Sequence, residues 1–141
     1  MSKIIIALLL TASLSFNFVS AEAPTNSEPY TLPPKTEWSK QEVVNLVNEN
    51  ADKYNISKSM LNFVVNCESG YNYKAVNWSD SHALSQGSHG VAQFSRETFL
   101  GFSKTMGKDY EDMYNPEQAL DVMAWAISKG YGSHWTCYRK Y

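Results

Sequence analysis

The sequence predicts a mainly α-helical fold, one compact helical domain with an extended loop or small hairpin set into it. Apolar residues recur at helical spacing in four stretches after residue 38. Each stretch is preceded by a Ser or Asn suited to a helix start, and helical period is lost between Tyr71 and Phe94. A length of 141 residues allows one ordinary domain, and no internal repeat divides it.

Ser39 and Glu42 form an S-x-x-E capping box ahead of Val43, Val44, Leu46 and Val47, so a first helix runs to about Tyr54. A second starts after Ser57 and buries Met60, Leu61, Val64 and Val65 before Gly70 stops it, which places Cys67 and Glu68 in its last turn. From Tyr71 to Phe94, Gly87, Gly90 and a cluster of Ser, Asn and Asp indicate an extended loop or irregular hairpin of the kind that often walls a binding cleft. Ser95 caps a third helix with Phe99, Leu100, Phe102 and Met106, ended by Gly107. Asn115-Pro116-Glu117-Gln118 combines an N-cap, a proline at the first helical position and a glutamine suited to a capping box. The helix that follows carries an apolar face of Leu120, Met123, Ala124 and Ile127 to Gly130, leaving an aromatic tail with Tyr131, Trp135, Cys137, Tyr138 and Tyr141.

Ahead of this domain, Lys3, the apolar run Ile4 to Leu10 and the small residues Ser20 and Ala21 read as a signal peptide over residues 1–21, cut after Ala21 or Ala23. Neither site leaves a terminal Cys for lipid attachment. A retained membrane anchor is the alternative, but polar residues from Thr11 onward shorten the apolar run below the roughly 20 residues of a spanning helix. Residues 22–37, with Pro24, Pro29, Pro33 and Pro34, form a linker, and 38–141 the folded domain.

Hydrophobic residues at 43% and charged residues at 18% belong to a folded chain, and a net charge of -2 without a basic run argues against a nucleic-acid partner. His82, His89 and His134 form no metal-ligand pattern, and no phosphate loop, dinucleotide fingerprint or nucleophile elbow is present, so the chemistry is read as cofactor-free. Export favours a single Cys67–Cys137 disulfide, for which the chain-entropy account gives about 4 kcal/mol. The alternative is a nucleophilic Cys67 assisted by His89 or His134.

Glu68 follows a buried helix stripe and adjoins that cysteine. Partial desolvation there disfavours the charged carboxylate and suits a general acid acting on a glycosidic oxygen. An ordinary helix-end glutamate fits the same spacing. Cys67-Glu68-Ser69-Gly70-Tyr71-Asn72, followed by Ala75-Val76, resembles the E-S-G-x-N region of lytic transglycosylases in the lysozyme-like superfamily. His89-Gly90-Val91-Ala92-Gln93-Phe94 resembles that family's downstream G-x-x-Q element. The cysteine before the glutamate, Gln93-Phe94 and Trp135-Thr136-Cys137 are also similar to the secreted resuscitation-promoting factors.

The resemblance implies an α+β lysozyme-like fold and a catalytic domain over 38–141 acting on peptidoglycan glycan strands, at the bond between N-acetylmuramic acid and N-acetylglucosamine. It makes Glu68 the catalytic acid, has Ser69 orient its carboxyl as part of the substrate site, and gives Gly90 and Gln93 the shaping of the sugar cleft. The family's A-Y-N element is missing, and Tyr131 or Tyr138 are the candidates to replace its tyrosine. Asp80 is the nearest second carboxylate, although its Asn77-Trp78-Ser79-Asp80-Ser81 setting suits an Asx-stabilised turn equally. Asp109, Glu111 and Asp112 read as a solvated interhelical segment. Tyr71, Tyr73, Trp78, Tyr131 and Trp135 can stack on sugars or pack in the core. A non-catalytic peptidoglycan-binding module and a structural envelope protein are the remaining alternatives.

Overall fold

The computed structural model describes residues 35–79 and 87–141. The expected signal peptide, most of the linker, Asp80 and His82 lie outside them. Helix α1, Lys40–Lys53, starts where the sequence pattern sets it: Ser39 Oγ accepts from the Glu42 amide at 3.3 Å, and Glu42 Oε2 accepts from the Ser39 amide at 2.8 Å. Lys35 pairs with the same carboxylate, and Lys35 together with the Ser39 donors holds it down at about 2. Val43, Val47 and Ala51, four residues apart, are fully buried.

Helix α2, Lys58–Ser69, is capped by Ser57, and Gly70 closes it at φ 62° in the left-handed region. Its buried residues are the expected Met60, Leu61, Val64 and Val65. The chain then forms two short strands, β1 (Val76–Asn77) and β2 (Ser88–His89), paired antiparallel with Val76 opposite His89 and Asn77 opposite Ser88. A further bridge between His89 and Phe94 closes a tight turn through Gly90 and Gln93. Gly90 has φ 74°, and a Cβ on it would lie 2.3 Å from the Met113 carbonyl oxygen, so the turn can seat against the 113–114 backbone only with glycine there.

Helix α3, Arg96–Thr105, is capped by Ser95 and ends at Met106, one residue before Gly107. Helix α4, Pro116–Ser128, begins with Asn115 Oδ1 accepting from the Glu117 amide at 2.9 Å. Two expectations are corrected here. Gln118 does not complete a capping box; its Oε1 accepts from the amides of Glu111 and Asp112 at 3.2 and 3.1 Å and holds the preceding segment instead. The apolar face is also wider than Leu120, Met123, Ala124 and Ile127: Ala119, Val122 and Ala126 are buried too, because α4 packs against α1, α3 and the tail at once.

The polar exception on α4 is Asp121, 3% exposed, which accepts from Lys53, from Tyr54 at 2.6 Å and from Tyr110 at 2.9 Å. Burial pushes its carboxyl up, but these three donors outweigh burial and hold it below the ordinary range. The tail is two 3-10 turns, Gly132–His134 and Tyr138–Lys140, with the Tyr138 ring lying where a side chain at Gly132 would project. Cys67 and Cys137 are joined in a disulfide, with their Cα atoms 6.0 Å apart.

Candidate active site

The disulfide brings the tail to the end of α2, and two further contacts fix it there. Trp135 Nε1 donates to the Ala92 carbonyl at 2.7 Å, and its ring meets Phe94 edge-on with centroids 5.4 Å apart. Trp135 is consequently 4% exposed. Held this way, the Cys137 amide donates to Glu68 Oε1 at 3.0 Å. The other oxygen, Oε2, takes no hydrogen bond from any described residue.

Glu68 is half-buried and opens on a small cleft. Asn77 and Ser88 of the hairpin line one part of it, Gln93 another, and His134, Trp135 and Thr136 of the tail a third. Glu68 is the single acidic side chain among the described residues lining this cleft.

Gln93 is half-buried with its backbone in the left-handed region at φ 50°, a conformation that costs a non-glycine residue roughly 1 kcal/mol. Its Nε2 donates to the carbonyls of Gly90 at 2.9 Å and Ala75 at 3.4 Å. Two carbonyl partners fix the amide's orientation and leave Oε1 as an acceptor for a ligand. Gly90 is buried behind this turn and does not line the cleft. Ser69 does not reach Glu68 through its hydroxyl: Oγ donates to the Val91 carbonyl at 2.7 Å, with the Val65 carbonyl at 3.2 Å. It ties the end of α2 to the turn that carries Gln93.

Asn77 Oδ1 accepts from the Ser79 amide at 3.1 Å, the local bond of an Asx turn. Neither Tyr131 nor Tyr138 lines the cleft. Tyr71 donates toward Asn62 and Tyr73 to Glu37, so these two phenols serve the fold. Trp78 is 74% exposed and meets His89 edge-on. Asp109, Glu111 and Asp112 are exposed.

Both cysteines are in the disulfide, which leaves the nucleophilic Cys67 reading without a thiol. Among the described residues no three His, Cys, Asp or Glu side chains gather for a metal ion, and no helix is long and apolar enough to cross a membrane. Asn77 and Ser88 carry no site signal in their local sequence, His134 enters the sequence reading only as a helper of Cys67, and Thr136 only within the Trp135-Thr136-Cys137 stretch; strand pairing and the disulfide bring all four to the cleft of Glu68.

No curated protein and no solved structure matches the chain. Residues 45–140 match the family model described as the transglycosylase SLT domain. The match takes in α2, the hairpin, the cleft-lining residues and nearly all of the tail, and the helix-rich architecture is that of the α-rich lysozyme-like fold. With more than half of its length matched, the chain belongs to the transglycosylase SLT domain family and has that family's lytic transglycosylase type of function on peptidoglycan.

Proposed function

We propose that this chain is an exported lytic transglycosylase that cleaves the bond between N-acetylmuramic acid and N-acetylglucosamine, with Glu68 as its general acid and base. The observation that carries the reading is the position of Glu68: a half-buried carboxyl facing a cleft, one oxygen held by the Cys137 amide and the other without a described partner. In the proposed reaction the protonated Oε2 gives its proton to the glycosidic oxygen as the bond to the anomeric carbon breaks. An oxocarbenium-like centre develops on the muramoyl sugar. The carboxylate then takes a proton from that sugar's own primary hydroxyl, whose oxygen closes on the anomeric carbon. Glu68 returns to its starting form, and the strand is left with an anhydromuramoyl end.

The family match supports internal attack over water. Glycoside hydrolysis ordinarily needs a second carboxylate as nucleophile or base, whereas attack by a hydroxyl of the substrate needs only one group to move the proton twice. Glu68 is the single carboxylate on the described lining. Gln93 Oε1 is proposed to accept a hydrogen bond from the bound sugar. Gly90 and Ser69 act behind it, setting the turn that presents Gln93. The domain boundaries follow the same reading: residues 1–21 a signal peptide, 22–37 a linker, and 38–141 the catalytic domain, since Trp38 already packs against the core.

Digestion of purified peptidoglycan in water labelled with heavy oxygen tests the reaction. Anhydromuramoyl ends without label are expected. Labelled reducing ends would show hydrolysis instead and would bring Asp80 forward as the second carboxylate.

A further inference from the structure

We propose that Tyr131, with Phe102, Trp125 and His134 around it, is a second carbohydrate platform outside the cleft, holding a sugar of the same glycan strand away from the bond being cut. This rests on the reading of the cleft as a glycan site. The four rings form one continuous cluster. Phe102 from α3 has its centroid 5.3 Å from Tyr131 and 5.1 Å from His134, and Trp125 from α4 lies 6.4 Å from Tyr131.

An aromatic cluster of this size ordinarily closes on itself inside a core. Here Tyr131 keeps 43% of its surface exposed, His134 is exposed, and Phe102 and Trp125 are only half-buried. The cluster is also continuous with the cleft, because His134 meets Phe102 edge-on and lines the cleft beside Trp135 and Thr136. His134, 6.2 Å from Tyr131 between ring centroids, therefore links the cleft wall to the Tyr131 cluster.

The chemistry and the size of the ligand fit. A pyranose presents an apolar C–H face with hydroxyls at its rim, which matches an aromatic face bordered by a phenol and an imidazole. The cleft is small, with seven described residues lining it. A polymer that continues past the scissile bond needs further surface, and the Tyr131 cluster supplies it.

The test uses the purified full chain carrying Glu68→Gln, so that strands bind without being cut, and a ladder of peptidoglycan glycan fragments growing by one disaccharide at a time. Affinities are measured by calorimetry with Tyr131, Tyr131→Ala and Tyr131→Phe in that background. The expected result is that Tyr131→Ala weakens the longest fragments about tenfold and leaves the shortest bound fragment unchanged, while Tyr131→Phe binds as the parent does. Unchanged affinity for long fragments in Tyr131→Ala overturns the platform alone. An equal loss for short and long fragments also overturns it, since the ring would then act through the fold. If the parent binds no fragment of any length, the glycan reading of the cleft fails and the platform with it.

Discussion

Glu68 and Cys137 are 69 residues apart in sequence, yet the amide of one donates to the carboxyl of the other at 3.0 Å. The covalent bond that makes this possible begins at Cys67, the neighbour of Glu68, so a single disulfide both closes the domain and positions the carboxyl. Reduction of this bond is expected to lower kcat on peptidoglycan by at least about tenfold, as the tail loosens and Oε1 loses its donor, the scale of one hydrogen bond to a charged group. The domain should meanwhile lose about 2–4 kcal/mol of stability. Rate measurements with and without reductant, alongside circular dichroism at a temperature where the helices persist, check this. Unchanged kcat in a fully reduced, folded chain would separate the disulfide from catalysis.

Two glycines with similar φ should behave differently. Gly90 at φ 74° faces the Met113 carbonyl oxygen, 2.3 Å from where a Cβ would sit, whereas Gly70 at φ 62° has nothing within 4 Å. Gly90→Ala is expected to cost about 3 kcal/mol or more, adding a backbone clash to the conformational strain. Gly70→Ala should cost only about 1 kcal/mol. Urea unfolding of the two variants measures the difference, and equal losses would contradict the close approach at Gly90.

Asp121 gives the stability a sign with pH. Burial alone would raise its carboxyl, but Lys53, Tyr54 and Tyr110 hold it below the ordinary value of 3.8. A group depressed in the folded state stabilises it above the unfolded value, and that contribution fades as pH falls through the folded one. Asp121→Asn is therefore expected to cost about 2–4 kcal/mol at neutral pH, with the gap to the parent closing below about pH 3.8. Denaturant unfolding across pH tests this; a gap that is constant from neutral to acid pH would contradict it.

The polar partner on the cleft wall can be tested without touching Glu68. Gln93→Ala removes the proposed sugar acceptor and frees the carbonyls of Gly90 and Ala75. Its kcat/KM should fall by about tenfold, the scale of one hydrogen bond left unmade. Asp80→Asn should leave the rate within about twofold, because the proposed reaction asks nothing of a second carboxylate.

Helix boundaries were legible because capping is local. Ser39, Ser57, Ser95 and Asn115 each bond to an amide two or three residues ahead, and the sequence spacing carries that information. The hairpin was legible only as a loss of helical period. Gln118 escaped because its partners, Glu111 and Asp112, lie upstream, where a side chain can turn back as readily as cap. Asp121 escaped for a stronger reason: a lone aspartate within an apolar helix shows nothing of Lys53, the last residue of α1, and Tyr54, the residue after it. The resemblance drew attention to Glu68 and Gln93, and the structure sets both on one cleft. Ser69 acts through Val91, a pairing that depends on how the turn folds back and leaves no mark in the motif.

The central claim is that Glu68 moves the proton. The most direct measurement compares peptidoglycan digestion by the parent and by Glu68→Gln, the variant first shown to have the same far-ultraviolet spectrum and an intact disulfide, with products read by mass spectrometry. The account predicts anhydromuramoyl ends from the parent and a rate at least about a hundredfold lower from Glu68→Gln. A folded Glu68→Gln chain that released those ends at the parent's rate would contradict it.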